Sequence, residues 1–226
     1  MKALIGRHEL KYYINPIDQA TLRARLKVLA KPDEHIGESG GYMIRSLYFD
    51  NYSDKAVFEK LSGQSRREKF RIRFYNNDPS FLRLEKKTKI NQLVYKESAP
   101  LSTEICATLL AGNHECLQSQ KSSLLMTELY SKMNYQCLRP RNIVSYHREA
   151  YVYPHGNVRV TLDSKISTSN NVSDFLNPNT THIPASALDI LEIKFDGFLP
   201  DVIRDIVCID RRNQTEFSKY VTGRLV

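Results

Sequence analysis

Phe70-Arg71-Ile72-Arg73-Phe74-Tyr75 alternates apolar and cationic side chains. Successive side chains of a β-strand point to opposite faces, so Arg71 and Arg73 share one face and Phe70, Ile72 and Phe74 the other. The pattern recurs along the chain. Arg83, Glu85 and Lys87 stand two apart, as do Glu9 and Lys11, Glu192 and Lys194, and the Tyr146, Arg148, Ala150 series. Val158-Arg159-Val160-Thr161-Leu162-Asp163 begins in the same way, and Tyr95-Lys96 adds another cation. Exposed strand positions ordinarily mix charges with Thr, Ser and Gln, whereas here one face collects mostly cations and the other Phe, Ile, Leu and Val. Polar faces on nearly every strand do not suit a filled sandwich. They suit an α+β fold built on an antiparallel eight-stranded β-barrel, with a charged lumen and an apolar exterior covered by flanking helices. Adjacent guanidinium groups repel unless an anion lies between them, and they match phosphate oxygens bidentately.

The chain has 226 residues, 41% hydrophobic and 26% charged, enough for a core without disulfide or metal staples. Its 33 Lys and Arg against 25 Asp and Glu leave a formal charge of +8, which favours nucleic acid, anionic lipid or phosphate-rich small molecules as partners. Cys106, Cys116, Cys137 and Cys208 have no paired spacing, so neither a cysteine zinc site nor a disulfide framework is indicated, as suits a reduced, cytoplasmic protein. His8, His35, His114, His147, His155 and His182 show no metal-binding spacing. Charges interrupt the N-terminal stretch early, and no segment approaches the ~18 apolar residues of a membrane-spanning helix. The expectation is a soluble cytoplasmic chain that could dock on a membrane-protein partner.

Asn15-Pro16 reads as an N-cap followed by proline in the first turn of a helix over 16–30, whose Arg23, Arg25, Lys27 and Lys31 form a solvated face. The pattern predicts a loop over 37–41, strands over 43–49, 68–76, 80–88 and 92–97, and a short helix ending near 61. It predicts a mobile polar link over 63–67, helices over 103–110 and 122–134, and a hairpin over 143–153 and 157–162. A long loop over 167–185, a strand over 187–195 and a helical end over 200–222 complete the chain. Neither an internal repeat nor a linker divides it, so residues 1–226 read as a single domain.

In order, the pieces HELKY, SLYFDN, FRIRFY, LEKK, SYHREAY, VRVTLD, LEIKF and FSKY resemble the polyphosphate polymerase domain of the vacuolar transporter chaperone (VTC) family, within the CYTH-like triphosphate tunnel metalloenzymes. Each piece alone is weak; together, from about Arg7 to Gly223, they are specific. The resemblance implies a cation-lined tunnel, a metal-binding glutamate, and transfer of the ATP γ-phosphate to a growing inorganic polyphosphate chain. ATP and polyphosphate would be the partners and Mn2+ or Mg2+ the cofactor. Position by position, Lys11 is similar to the family's first-strand lysine, and Arg71 and Arg73 to its paired arginines. Lys87 and Lys96 match lysines of the following strands, Arg148 and Arg159 arginines of the later hairpin, Glu192 the metal-binding glutamate, and Lys219 the lysine of the closing helix. Lys60 stands where the family has arginine. The wider superfamily opens with Glu-x-Glu-x-Lys, but this chain has Arg7 at the first position. That leaves fewer carboxylates for a metal or a hydrolytic water and sides with polymerase over triphosphatase.

Phosphoryl transfer needs positioning and charge neutralisation more than a covalent catalyst. Lys11, Lys60, Arg71, Arg73, Lys87, Lys96, Arg148, Arg159 and Lys219 would hold several phosphates at once. A divalent ion on Glu192 would bridge phosphate oxygens, and Glu9 and Glu85 would orient lysines or support the metal. The attacking group would be a terminal or inorganic phosphate, so no protein base is obligatory. Plainer readings stand beside these: Arg83 and Lys194 in outward ion pairs, Glu192 as a salt-bridge partner, and Tyr12, Tyr48, Tyr75, Tyr146 and Tyr151 as wall packing with hydroxyls at the rim. A triphosphatase and a non-catalytic polyphosphate-binding module remain as alternatives. No specific nucleic acid is expected, because few aromatics share the cationic faces to stack bases.

Overall fold

The computed structural model describes residues 5–37, 40–120 and 123–226, so the expected 37–41 loop and the start of the expected 122–134 helix lie partly outside the described residues. In chain order, β1 (His8–Ile14), α1 (Pro16–Leu29), β2 (Lys31–Pro32), β3 (Tyr42–Asp50) and α2 (Lys55–Leu61) come first. β4 (Arg66–Tyr75), β5 (Asp78–Ile90) and β6 (Leu93–Leu101) then form a meander, followed by α3 (Thr103–Leu110) and α4 (Leu124–Tyr135). β7 (Arg139–Tyr153), β8 (Val158–Ser169), β9 (Ile183–Pro184), β10 (Asp189–Phe195), α5 (Asp201–Val207) and α6 (Lys219–Arg224) complete the chain.

The strands form one antiparallel sheet in the order β1-β10-β8-β7-β3-β4-β5-β6, with the two-residue β2 and β9 beside β7 and β8. Local chemistry accounts for much of it. The Asn15 side chain accepts from the Asp18 amide while the Asp18 carboxylate accepts from the Asn15 amide, a capping box that starts α1. Asn76 and Asn77, at φ 51° and 56°, make the tight turn between β4 and β5, a geometry asparagine tolerates well.

The eight-stranded path is as expected, but the closed barrel is not. Among the described residues the outer edges of β1 and β6 meet only at the Arg7–Val94 bridge, through two backbone bonds of 3.0 and 2.9 Å. Beyond it the C-terminal segment takes the free edge of β1. Gln214 bridges Tyr12, and the Thr215 amide donates to the Lys11 carbonyl at 2.8 Å. The sequence pattern reads 200–222 as helix, but this segment is extended and separates α5 from α6. Further boundaries differ. β4 begins at Arg66, within the stretch expected to be a mobile link, and β8 runs to Ser169 before a 3-10 turn over Val172–Leu176, within the expected long loop.

Apolar side chains cover the outer face, as the alternation requires. Phe70, Ile72, Phe74, Leu82 and Leu84 pack under α3 and α4 around Leu109, Leu129 and Met133. Leu162, Leu191 and Ile193 pack against Leu22 and Leu26 of α1 and Ile203 of α5. A third cluster lies on the concave face, where Phe217, Tyr220 and Val221 pack on Ile44, Val144 and Tyr146 and fill one end of the trough. No helix among the described residues is long and apolar enough to cross a membrane.

Candidate functional site

The concave face carries the cations. In register, Lys11 pairs with Glu192 and Glu9 with Lys194 across β1 and β10; Lys194 faces Arg159 on β8; and Arg148 faces Asp163 across β7 and β8. On the other half Tyr48, Arg71 and Glu85 lie in one row over β3, β4 and β5, and Lys69, Lys87 and Lys96 in the next over β4, β5 and β6. These rows surround a cavity of about 240 Å³. Eleven cationic side chains line it against the carboxylates of Glu9, Glu85 and Glu192.

Eight of the nine expected cations line this cavity: Lys11, Arg71, Arg73, Lys87, Lys96, Arg148, Arg159 and Lys219. Lys60 does not. It stands in an adjoining cavity with Arg67 and Lys89, where Glu216 takes Lys60 at 2.6 Å and Arg67 and Lys89 at 3.4 Å each. Arg83 does not line the main cavity either; its Nε donates to the Ser98 hydroxyl at 3.0 Å. Lys194, which could have pointed outward, lines the cavity and pairs with Glu192 at 3.0 Å.

Each carboxylate gathers cations. Glu85, 2% exposed, accepts from Arg71 Nε at 2.7 Å, lies 3.9 Å from Arg73, and also pairs with Lys96. Burial alone would raise its pKa, but Arg71, Arg73 and Lys96 outweigh burial and hold it far below the ordinary value. Glu192 lies 3.5 Å from Lys11 and 3.4 Å from Arg148; burial opposes its ionisation, yet Lys194, Lys11 and Lys219 keep it well below the usual range. Glu9 accepts from Lys87 at 2.6 Å and lies 3.7 Å from Lys11. Burial and Glu192 push its pKa up, but Lys87, Lys11 and Lys194 bring it to about 2. For Lys87 burial prevails over Glu9, and the pKa falls to about 8.

Three further groups escaped the sequence reading. Asp163, fully buried, accepts both forks of Arg148 at 2.6 and 2.7 Å and pairs with Lys219 at 2.6 Å, so it aims two channel cations. The alternation could have identified it, two places beyond Thr161 in VRVTLD. Lys69 donates to the Ser218 hydroxyl at 3.2 Å, and burial, then the charges of Lys87 and Lys11, lower its pKa well below the usual value. It stands two residues before Arg71, so the same period reaches it. The phenols are the third group. Tyr48 and Tyr146 pack in the wall as expected, but their hydroxyls face the arginines and not the rim: Tyr48 accepts from Arg71 at 3.3 Å and Tyr146 from Arg73 at 2.9 Å. Tyr42 accepts from Arg159 at 2.9 Å.

Among the described residues no three His, Cys, Asp or Glu side chains gather as a metal site. Glu9 and Glu192 share one cation, both within 4 Å of the Lys11 Nζ at 3.7 and 3.5 Å. Two carboxylates suit a hard divalent ion that takes its remaining ligands from phosphate oxygens and water. The cysteines are free and none lines the cavity.

Residues 6–226 match the profile of the family described as VTC domain. No curated protein matches the chain. Among solved structures, the PH1012 protein of Pyrococcus horikoshii OT3 is 16% identical, with a TM-score of 0.47 over 89% of this chain and 85% of that one. The PH1819 protein of the same organism is 13% identical, with a TM-score of 0.43 over 89% of this chain and 84% of that one. A conserved hypothetical protein of Pyrococcus furiosus is 12% identical, with a TM-score of 0.44 over 89% and 85%.

Proposed function

The chain belongs to the VTC domain family, and on that premise we propose that it is a metal-dependent polyphosphate polymerase, one tunnel domain over its whole length. It would transfer the γ-phosphate of ATP to a growing inorganic polyphosphate chain. The observation that carries this reading is the lining: eleven cationic side chains and three carboxylates around one cavity, a charge pattern suited to a polyanion.

In this reading Arg71, Arg73, Arg148 and Arg159 grip non-bridging oxygens with their forks, while Lys11, Lys87, Lys96 and Lys219 neutralise charge on the transferring group. Lys60 extends the cationic path beside the main cavity. An oxygen of the acceptor's terminal phosphate attacks the γ-phosphorus of ATP. The new P–O–P bond forms as the β–γ bridging P–O bond breaks, and the electron pair stays on departing ADP. Glu192, with Glu9 beside it, would hold the divalent ion, Mn2+ or Mg2+, which when bound supplies charge neutralisation across phosphate oxygens. Glu85 positions Arg71 and Arg73.

Hydrolysis is the second reading, and the same carboxylates weigh against it. Cations hold Glu9, Glu85 and Glu192 below the ordinary carboxylate range, which makes them weak bases for activating water. A phosphate acceptor brings its own ionised oxygen and needs no such base. The test is incubation of the purified chain with ATP and Mn2+. Acid-insoluble polyphosphate formed with ADP supports the polymerase, phosphate release alone supports a triphosphatase, and polyphosphate binding without turnover supports a binding module.

A further inference from the structure

The outer face of the sheet is mainly apolar; Lys86 with Glu68 and Glu97, and Glu149 with Arg23, form ion pairs there, and one further polar row has no such pairing. Arg45 of β3, Ser145 of β7 and Ser167 of β8 stand side by side in register, on the face opposite the channel. With Thr180 and His182 they line a cavity of about 190 Å³, which has only Ile44 in common with the lining of the channel. Arg45 is only 6% exposed. Its Nη1 donates to the Phe175 and Asn177 carbonyls, at 3.2 and 2.5 Å, and the guanidinium lies 5.5 Å from the centre of the Phe74 ring.

Arg45 has no carboxylate partner among the described residues, and its Nε–H is buried without an acceptor. The Ser145 hydroxyl, on a side chain also 6% exposed, and Nε2 of His182 are likewise buried and unpartnered. A buried charge without a counter-ion and buried donors without acceptors are both costly. One ligand would relieve both: a small tetrahedral anion that takes hydrogen bonds from a guanidinium, a hydroxyl and an imidazole approaching from three elements. Asp174, on the 3-10 turn over Val172–Leu176, already accepts from Asn171 at 2.7 Å and Thr180 at 3.4 Å.

We propose that this outer-wall cavity binds one inorganic phosphate ion, independently of the channel. The two sites share a stretch of wall. Ser46 and Tyr146, next in sequence to Arg45 and Ser145, face the other way and accept from Arg73 at 3.1 and 2.9 Å.

The test follows the Arg45 Nε–H resonance by 15N NMR while sodium phosphate is added at constant ionic strength; loss of the peak in Arg45→Gln assigns it. The expected result is a saturable shift. In Ser145→Ala, which keeps the arginine and its carbonyl bonds, the midpoint should rise about tenfold or more, the equivalent of one charge-assisted hydrogen bond. No shift, an equal shift with chloride, or an unchanged midpoint in Ser145→Ala would overturn the proposal. Because the readout is local to Arg45, none of these outcomes depends on whether the channel makes polyphosphate.

Discussion

Glu85→Gln tests how the channel wall is balanced. The substitution keeps the shape of the side chain and removes the charge that faces Arg71 at 2.7 Å, Arg73 at 3.9 Å and Lys96. All three cations then share a wall without their carboxylate, and breaking a buried ion pair on one side costs about 3–5 kcal/mol. For a chain of this size that corresponds to a fall in Tm of about 6–20 °C. Tripolyphosphate returns the missing negative charge, so the variant should gain more stability from the ligand than the wild type does. Occupancy at 100 times Kd adds about 2.7 kcal/mol in either protein, and the variant should reach that occupancy at lower ligand concentration. Differential scanning fluorimetry across a tripolyphosphate titration measures both effects.

The pH dependence gives the sign an independent check. The folded pKa of Glu85 lies far below its ordinary 4.5, so its contribution is complete above that value and declines as pH falls below it. Wild-type protein should lose stability between about pH 5 and pH 3 through this group, and Glu85→Gln should lose correspondingly less. If the variant melts within about 2 °C of wild type and binds tripolyphosphate no more tightly, Glu85 does not restrain the cations and the account of the wall is wrong.

Three other outcomes follow from the geometry. Replacing Arg71 and Arg73 together by Ala should weaken tripolyphosphate binding by several kcal/mol, at about 1.5–3 kcal/mol per charged hydrogen bond; near-wild-type affinity by calorimetry would place the pair outside the binding path. Glu192→Gln should abolish metal-dependent turnover while tripolyphosphate affinity stays within about tenfold, and full activity would remove Glu192 from the site. Lys87, brought down to about 8 by burial, should take up a proton when a polyanion binds near that pH. Its folded value lies below the unfolded one, so raising pH from 8 towards 10.5 favours the fold through this group and disfavours the bound anion. Calorimetry in buffers of different ionisation enthalpy reads this uptake, and a buffer-independent heat, or the same uptake in Lys87→Met, would contradict it.

What could be read from the chain was whatever repeats with the strand period. Arg71 with Arg73, Glu9 with Lys11 and Glu192 with Lys194 share faces because a pleated strand requires it, and that settled the cationic face before any contact was known. Lys69 obeys the same rule inside the strand expected over 68–76, and escaped because it lies outside the Phe70–Tyr75 stretch in which the alternation was read. Asp163 was quoted within VRVTLD, but its partners Arg148 and Lys219 lie on β7 and α6, and no local pattern announces a contact between distant elements. The Glu216 contacts with Lys60, Arg67 and Lys89 are hidden for the same reason. Closure failed as an expectation because strand number alone does not decide it: the segment around Gln214 and Thr215 claims backbone groups of β1 that a closed ladder would give to β6.

The carboxylates of the wall differ in a way that bears on how a channel this basic can fold before its ligand arrives. Asp163 is fully buried behind the lining, and it fixes Arg148 and Lys219 whether or not phosphate is present. Glu9, Glu85 and Glu192 line the cavity itself, so they compete with phosphate for the same cations. Were the lining carboxylates as numerous as the cations, they would neutralise the channel and an incoming polyanion would gain little. Without them, the cationic side chains would repel one another across the cavity with nothing to offset the cost. The observed excess of eight positive side chains lies between these limits. Ions from solution must make up the difference, and an anion that carries several charges on one chain does so with less loss of freedom than several separate ions. The wall therefore favours a longer phosphate chain over orthophosphate through its charge count, before any contact specific to a nucleotide is considered.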